Sequence, residues 1–193
     1  MNIPSKHQCY RFFEEMGMLA HIVAHSEQVC RVALCLTGYL KAFGIPLNED
    51  LVYASAMLHD ITKTRSFETK ENHAETGGRY LVQRGYPEVG QIVAQNVRLD
   101  NYFVSPEPSE AEIINYADKR VLHDEIAPLA KRMDYILDKY GHNSQRKDQL
   151  MRLWEKSIDL EKKLFAYLPF TPDQLKEVVE VGAIDNHQLT IDN

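Results

Sequence analysis

The sequence has few cysteines, no long apolar run and no long basic run, and each absence argues against a class of protein. Its three cysteines form no CxxC pair, and Cys30 and Cys35 lie in an apolar helical stretch, so we expect these two to be small core residues in a reducing compartment rather than metal ligands or redox groups. No apolar run approaches the roughly 20 residues of a membrane span. The N-terminus lacks a signal-peptide pattern, so the sequence predicts a cytoplasmic protein without a membrane partner. A net charge of -6 argues against binding to a nucleic-acid polymer.

Alternating apolar and polar stretches bounded by hairpin turns are also missing, and the periodicity that is present is helical. The pattern predicts helices over about residues 5–17, 19–43, 49–61, 73–84, 87–97, 110–122, 128–140, 144–168 and 171–181, with loops at 62–72 and 100–108. No repeat or linker divides the chain. The sequence therefore predicts one all-α domain over residues 1–193, with a polar tail at 184–193 that is open to disorder.

Ionisable side chains stand at positions where the helical pattern expects apolar ones. His25 and Asp118 lie on core-facing stripes, and His59 and Asp60 end the apolar run 51–58. A single buried histidine would be interpreted as a hydrogen-bonded core residue, whereas a buried aspartate is costly unless its charge is compensated. Two imidazoles and two carboxylates from three helices are a suitable ligand set for a divalent metal with open positions.

The order of these motifs resembles the HD-domain superfamily of metal-dependent phosphohydrolases, with a signature of the HDIG type. The segments that carry the likeness are His25-Ser26 with residues 29–33 after it, Leu58-His59-Asp60-Ile61-Thr62-Lys63, His73-Ala74-Glu75-Thr76-Gly77-Gly78 and Asn115-Tyr116-Ala117-Asp118-Lys119. Thr62 stands where glycine is common in the family. The likeness covers about residues 18–125 as an ordered set. It implies an all-helical HD bundle to which the C-terminal helices are added.

The resemblance also implies a ligand set and a reaction. His25, His59, Asp60 and Asp118 would bind one divalent metal, which could be Mn, Fe, Co, Ni, Zn or Mg. The implied chemistry is hydrolysis of a phosphoester or phosphoanhydride in a nucleotide or another small phosphorylated metabolite, with a metal-bound water as nucleophile. Asp60, Lys63 and His73 are the expected catalytic residues.

Two positions bear on the number of metal ions. His73 matches a second-metal ligand of some family members, but it could equally be an exposed residue in a first helical turn. Asn96 stands where bimetallic relatives often carry histidine, and its amide could bind a cation weakly, contact substrate or hydrogen-bond a neighbour. We therefore expect about one ion per chain, and a second ion near His73 is left open. His21 is expected beside the ligands, and His123 is expected on the surface, with its following aspartate a coincidental repeat of the dipeptide.

Cationic residues follow both metal motifs. Lys63, Arg65 and Lys119 are predicted to bind phosphate oxygens of the substrate. Their alternative interpretation is solvated surface charge, the usual state of lysine and arginine. Lys63 is the strongest candidate because it matches the lysine of the family signature.

Two other functions compete with hydrolysis. The chain could be a nucleotide- or phosphate-binding regulatory module with little turnover, or a structural helical protein with a polar core network that holds no metal. The amphipathic stripe of residues 144–168 is typical of packing within one chain. A homodimer is left open.

Overall fold

The structure is a computed structural model that describes residues 1–97, 99 and 103–188. The helices are α1 Lys6–Glu15, α2 Ala20–Ala42, α3 Glu49–Leu58, α4 Lys63–Thr69, α5 His73–Gln83, α6 Pro87–Ala94, α7 Glu110–Lys119, α8 Leu129–Tyr140, α9 Ser144–Phe165 and α10 Leu175–Gln188. A 3-10 turn, Pro172–Gln174, precedes α10. Strands β1 Val121–Leu122 and β2 Glu125–Ile126 form a small antiparallel hairpin. The predicted all-α fold is confirmed.

None of the described helices has the length and apolar character that crossing a membrane requires.

Side-chain caps explain where several helices begin. The side chain of Asn48 accepts from the Leu51 amide at the start of α3, and that of Asn72 accepts from the Ala74 amide at the start of α5. Ser109 forms a capping box with Glu112 at the start of α7. Each cap satisfies amide groups that a helix leaves unpaired, so α3, α5 and α7 begin where the sequence predicted.

Three segments differ from the prediction, and one of them is the last helix, because α10 spans Leu175–Gln188 and not about 171–181. The predicted loop 62–72 contains α4, which has no buried residue and therefore no apolar stripe to reveal it. The helix predicted over 110–122 ends at Lys119, because β1 and β2 form a hairpin in which His123 has a left-handed backbone, with φ of 59°. Residues 100–102 of the predicted loop lie outside the described residues. The end of the polar tail does as well, so its disorder stays a prediction.

Helix α2 is the centre of the bundle and packs against α3, α7 and α10. Its buried side chains join those of α3 and α7 in one core, which includes Val29, Leu36, Leu40, Leu58, Ile61, Ile113 and Ile114. Helices α5 and α6 pack closely because Gly78 has no side chain. A Cβ atom at this position would lie only 2.5 Å from the carbonyl oxygen of Gly90. This packing brings the ends of α2, α3, α5, α6 and α7 to the polar site described below.

Helix α9 is joined to α7 by buried ionic contacts. Nζ of Lys163 lies 2.8 Å from a carboxylate oxygen of Glu112, and the two side chains are 6% and 2% exposed. The guanidinium of Arg120 donates to Glu161 at 3.2 Å. These contacts seat the C-terminal helices on the bundle.

Candidate metal centre

The two predicted histidine ligands lie side by side, and a main-chain carbonyl fixes each ring. Nδ1 of His59 donates to the carbonyl of Ala56 at 2.7 Å, and Nδ1 of His25 donates to the carbonyl of His123 at 2.6 Å. The ring centroids are 5.4 Å apart. Because each Nδ1 carries the donated hydrogen, a neutral ring has its lone pair on Nε2, the atom that a metal would bind.

Both Nε2 atoms face carboxylates. That of His25 lies 3.1 Å from Oδ1 of Asp118, and that of His59 lies 3.4 Å from Oδ2 of Asp60 and 3.7 Å from Oδ1 of Asp118. A lone pair facing a carboxylate is stable only with an added proton on the ring or a cation between the groups.

The donor set fits a divalent metal. Nε2 of His59 is buried and has no hydrogen-bond partner among the residues that the structure describes. One ligand atom each from His25, His59 and Asp60 lies within 4.8 Å of the others, and Asp118 borders this group. Imidazole nitrogen with carboxylate oxygen is a ligand combination that suits divalent transition metals.

The neighbours of the two carboxylates favour their ionised form. Burial alone would raise the pKa of Asp60, but His59 and Lys63 hold that pKa well below its usual value. Burial alone would also raise the pKa of Asp118, but the contact with His25 holds the pKa of that carboxyl well below its usual value. Both side chains are therefore anionic at neutral pH, the state that metal ligation requires.

Lys63 and His73 contact the remaining sides of Asp60. Nζ of Lys63 lies 2.6 Å from Oδ2 of Asp60, and Nε2 of His73 lies 3.2 Å from its Oδ1. The hydroxyl of Thr62 donates to the carbonyl of His73 at 2.7 Å, which ties the start of α5 to the end of the HD segment. Burial lowers the pKa of Lys63, but the carboxylates of Asp60 and Asp118 together raise that pKa above its usual value, so this lysine is a cation at neutral pH.

Asn96 and Lys119 lie beside Asp118. Nδ2 of Asn96 is 3.5 Å from Oδ2 of Asp118, while its Oδ1 is buried and lacks a hydrogen-bond partner in the described part of the chain. Nζ of Lys119 donates to the carbonyls of Asn115 at 3.1 Å and Asn96 at 3.4 Å. Burial lowers the pKa of Lys119. Part of the hydrogen-bonding capacity of Lys119 therefore holds the main chain around Asn96.

The site lies in a cavity of about 580 Å³, within the usual size range of small-molecule sites. Its polar part includes His25, Asp60, Lys63, His73, Asn96, Asp118 and Lys119. His21 and His123 also line it, although both residues are exposed. Several separately predicted residues are thus brought to one cavity.

Arg65 is the exception among the predicted substrate-binding residues. It is exposed, its guanidinium pairs with Glu71 at 3.1 Å, and it does not line the cavity. On α4 it lies two residues after Lys63, and residues two apart on a helix do not share a face. Its position gives no support to a role in substrate binding.

Arg132 is a site residue that the motifs did not reveal. It lies on α8, lines the cavity and brings its guanidinium to 3.9 Å from Oδ1 of Asp118. Its Nε is buried and has no hydrogen-bond partner among the described atoms. The available signal was a charge within an inward-facing stripe, because the adjacent Met133 and the nearby Leu129 are buried.

These features define the class of the protein as the HD-type helical bundle that the motifs indicated. The chain belongs to the HD domain family, whose model matches residues 22–121, more than half of the sequence. The family that the motifs indicated is therefore confirmed.

Two curated proteins are also similar to the chain. A tRNA (cytidine(56)-2'-O)-methyltransferase of Picrophilus torridus is 29% identical over 155 aligned residues, in an alignment that covers 74% of this chain and 43% of that protein. A dihydroneopterin 2',3'-cyclic phosphate phosphodiesterase of Methanocaldococcus jannaschii is 30% identical over 112 aligned residues, in an alignment that covers 51% of this chain and 45% of that protein. The chain thus spans less than half the length of either relative. No solved structure matches it.

Proposed function

We propose that the protein is a metal-dependent hydrolase of a phosphoester or phosphoanhydride in a nucleotide or another small phosphorylated metabolite. One observation carries the proposal: the Nε2 atoms of His25 and His59 face one buried and one partly buried carboxylate at the polar end of a ligand-sized cavity. The HD domain family supports it. So does the Methanocaldococcus jannaschii relative, which is named as a phosphodiesterase.

His25, His59, Asp60 and Asp118 are the residues that would hold the metal. When bound, a divalent ion would activate water as a nucleophile and offset charge on the phosphoryl oxygens. The chain supplies two nitrogen and two oxygen ligands. The main-chain carbonyls behind the imidazoles keep their tautomer fixed.

Lys63 and Arg132 are the proposed phosphate ligands. Both are cationic side chains that line the cavity beside metal-ligand carboxylates, so they can neutralise charge that develops on the substrate. His73 contacts Asp60 and is positioned to hold a proton or a water near the reacting phosphate. Asn96 and Lys119 are proposed to shape the opposite side of the site.

Metal analysis and a substrate screen test this function together. Purified protein is analysed for metal, then assayed for the hydrolysis products of nucleotides, phosphomonoesters and phosphodiesters with added Mn²⁺, Co²⁺ or Ni²⁺. We expect about one ion per chain and hydrolysis that is lost on chelation and restored by metal. A stable content of two ions per chain would contradict the single-metal proposal.

Two aspartate variants make a matched comparison. Asp60→Ala removes a carboxylate from the proposed ligand set, whereas Asp124→Ala removes one from the exposed second His-Asp dipeptide. We expect the first variant to lose metal and turnover and the second to keep its metal. Equal metal content in both would exclude Asp60 as a ligand.

A regulatory phosphate-binding module is the second candidate. Asn96 favours it, because an amide stands where bimetallic family members often carry histidine. The Oδ1 atom of Asn96 is buried and has no hydrogen-bond partner among the described residues. This function predicts tight binding of a phosphorylated ligand to the metal-loaded protein without hydrolysis of that ligand.

A further inference from the structure

The cavity has a second wall that the metal motifs do not contribute. Helices α8 and α9 line it, and both lie beyond residues 22–121 of the family match. Their contribution is mainly aromatic and aliphatic, and its members are Tyr135, Ile136, Tyr140, Leu150, Leu153 and Trp154. A metal and a phosphate need no such surface, so it requires another explanation.

Tyr135 stands where the polar and apolar parts of the cavity meet. It follows Arg132 by three residues on α8, so the two side chains share a helical face. Its ring lies edge-on to the ring of His123, with centroids 5.3 Å apart, and Nζ of Lys139 donates to its hydroxyl at 3.1 Å. These contacts hold the ring beside the phosphate end of the cavity.

Trp154 belongs to the same wall on α9. Its indole is partly buried and packs against the core while still lining the cavity. The buried pair of Lys163 with Glu112 fixes the position of α9 on the bundle. The aromatic wall is therefore part of a packed helix pair, which is the usual basis of a preformed small-molecule site.

We propose that α8 and α9 form a recognition wall on which Tyr135 and Trp154 contact a planar aromatic group of the phosphorylated substrate. This inference rests on the proposed function, and it narrows the substrate class to phosphate esters that carry such a ring system. Flat heterocycles stack on aromatic side chains with little dependence on their identity. A sugar phosphate without an aromatic ring system would leave the wall in contact with water.

Nucleoside monophosphates and ribose 5-phosphate are a matched set of probes, since they share the sugar and the phosphate. Calorimetry on the Mn²⁺-loaded protein measures binding of AMP, GMP, CMP, UMP and ribose 5-phosphate. We expect at least one nucleotide to bind about tenfold more tightly than ribose 5-phosphate, the advantage that one stacked base typically gives. Equal affinity for all five probes, or no binding of any, would overturn the inference.

Variants locate the origin of this preference. Tyr135→Leu and Trp154→Leu keep an apolar side chain but remove the ring, so each should lower the nucleotide preference several-fold and leave affinity for ribose 5-phosphate unchanged. Phe43→Leu is the control, because Phe43 is 63% exposed on another surface and contacts Tyr167. An unchanged preference in both wall variants would exclude α8 and α9 as its source.

Phosphate release, measured with the same ligands, separates this inference from the proposed function. Discrimination between the probes without release would support the wall and contradict a hydrolase of phosphomonoesters. Release from nucleotides and ribose 5-phosphate with equal kcat/KM would support the hydrolase and contradict the wall.

Discussion

Nδ1 of His25 donates to the carbonyl oxygen of His123 across 2.6 Å, although the two residues are 98 positions apart in the sequence. The β1–β2 hairpin therefore orients a candidate metal ligand through its backbone. This contact gives the second His-Asp dipeptide a structural role that does not involve its imidazole.

The two histidines can be distinguished by substitution. His123→Gly keeps the carbonyl and suits the left-handed backbone at this position, so we expect metal content to remain at the wild-type level. His25→Ala removes a proposed ligand, and we expect it to lose most of the metal. Metal analysis of both purified variants provides the measurement. Loss of metal from His123→Gly would mean that the His123 ring is itself required.

Lys63 and Arg65 provide a second comparison, on the same short helix. Lys63→Ala removes the cation that lies 2.6 Å from Asp60 in the cavity, so we expect turnover to fall by roughly tenfold or more while metal content stays unchanged. Arg65→Ala removes an exposed partner of Glu71, and we expect turnover within about twofold of wild type. Steady-state kinetics with metal analysis measure both effects. Similar losses of turnover in the two variants would show that the effect comes from disturbing helix α4 and not from removing the Lys63 cation.

Much of the candidate site could be predicted because its residues interrupt the local apolar periodicity of the helices. His25, His59, Asp60 and Asp118 each interrupt an apolar pattern, so their inward direction is visible from periodicity. Helix α4 was missed since its exposed residues leave no apolar stripe, and the hairpin was missed since two-residue strands are too short to show alternation. The cavity wall depends on how α8 and α9 pack, which no local pattern encodes.

Burial protects the cysteines from thiol chemistry. It raises the pKa of Cys9 and Cys30 to about 12 and that of Cys35 to about 11. The thiolate is the reactive form, so alkylation of Cys9 and Cys30 at pH 8 should be at least about 100-fold slower in the folded protein than in urea. Mass spectrometry after timed treatment with iodoacetamide measures each site, and equal rates in both states would contradict this prediction.

The same shifts predict a dependence of stability on alkaline pH. The folded state keeps these thiols neutral, whereas the unfolded chain ionises them near their ordinary value of 9.0. Their contribution to stability is therefore complete below pH 9 and is lost as pH rises toward 12. Denaturant unfolding of wild type and of Cys9→Ala should show a shallower decline above pH 9 in the variant.

Two adjacent lysines on α9 test how the C-terminal helices are held. Lys163→Met leaves the Glu112 carboxylate buried without its cation, and breaking a buried pair in this way typically costs about 3–5 kcal/mol of unfolding free energy. The Lys162 side chain is 73% exposed and pairs with Asp159 at 3.3 Å, so Lys162→Met should change stability by less than about 1 kcal/mol. Urea unfolding followed by circular dichroism gives both values. Equal losses of unfolding free energy in the two variants would mean that the buried pair does not anchor α9. Other contacts would then have to hold the aromatic wall that α9 carries.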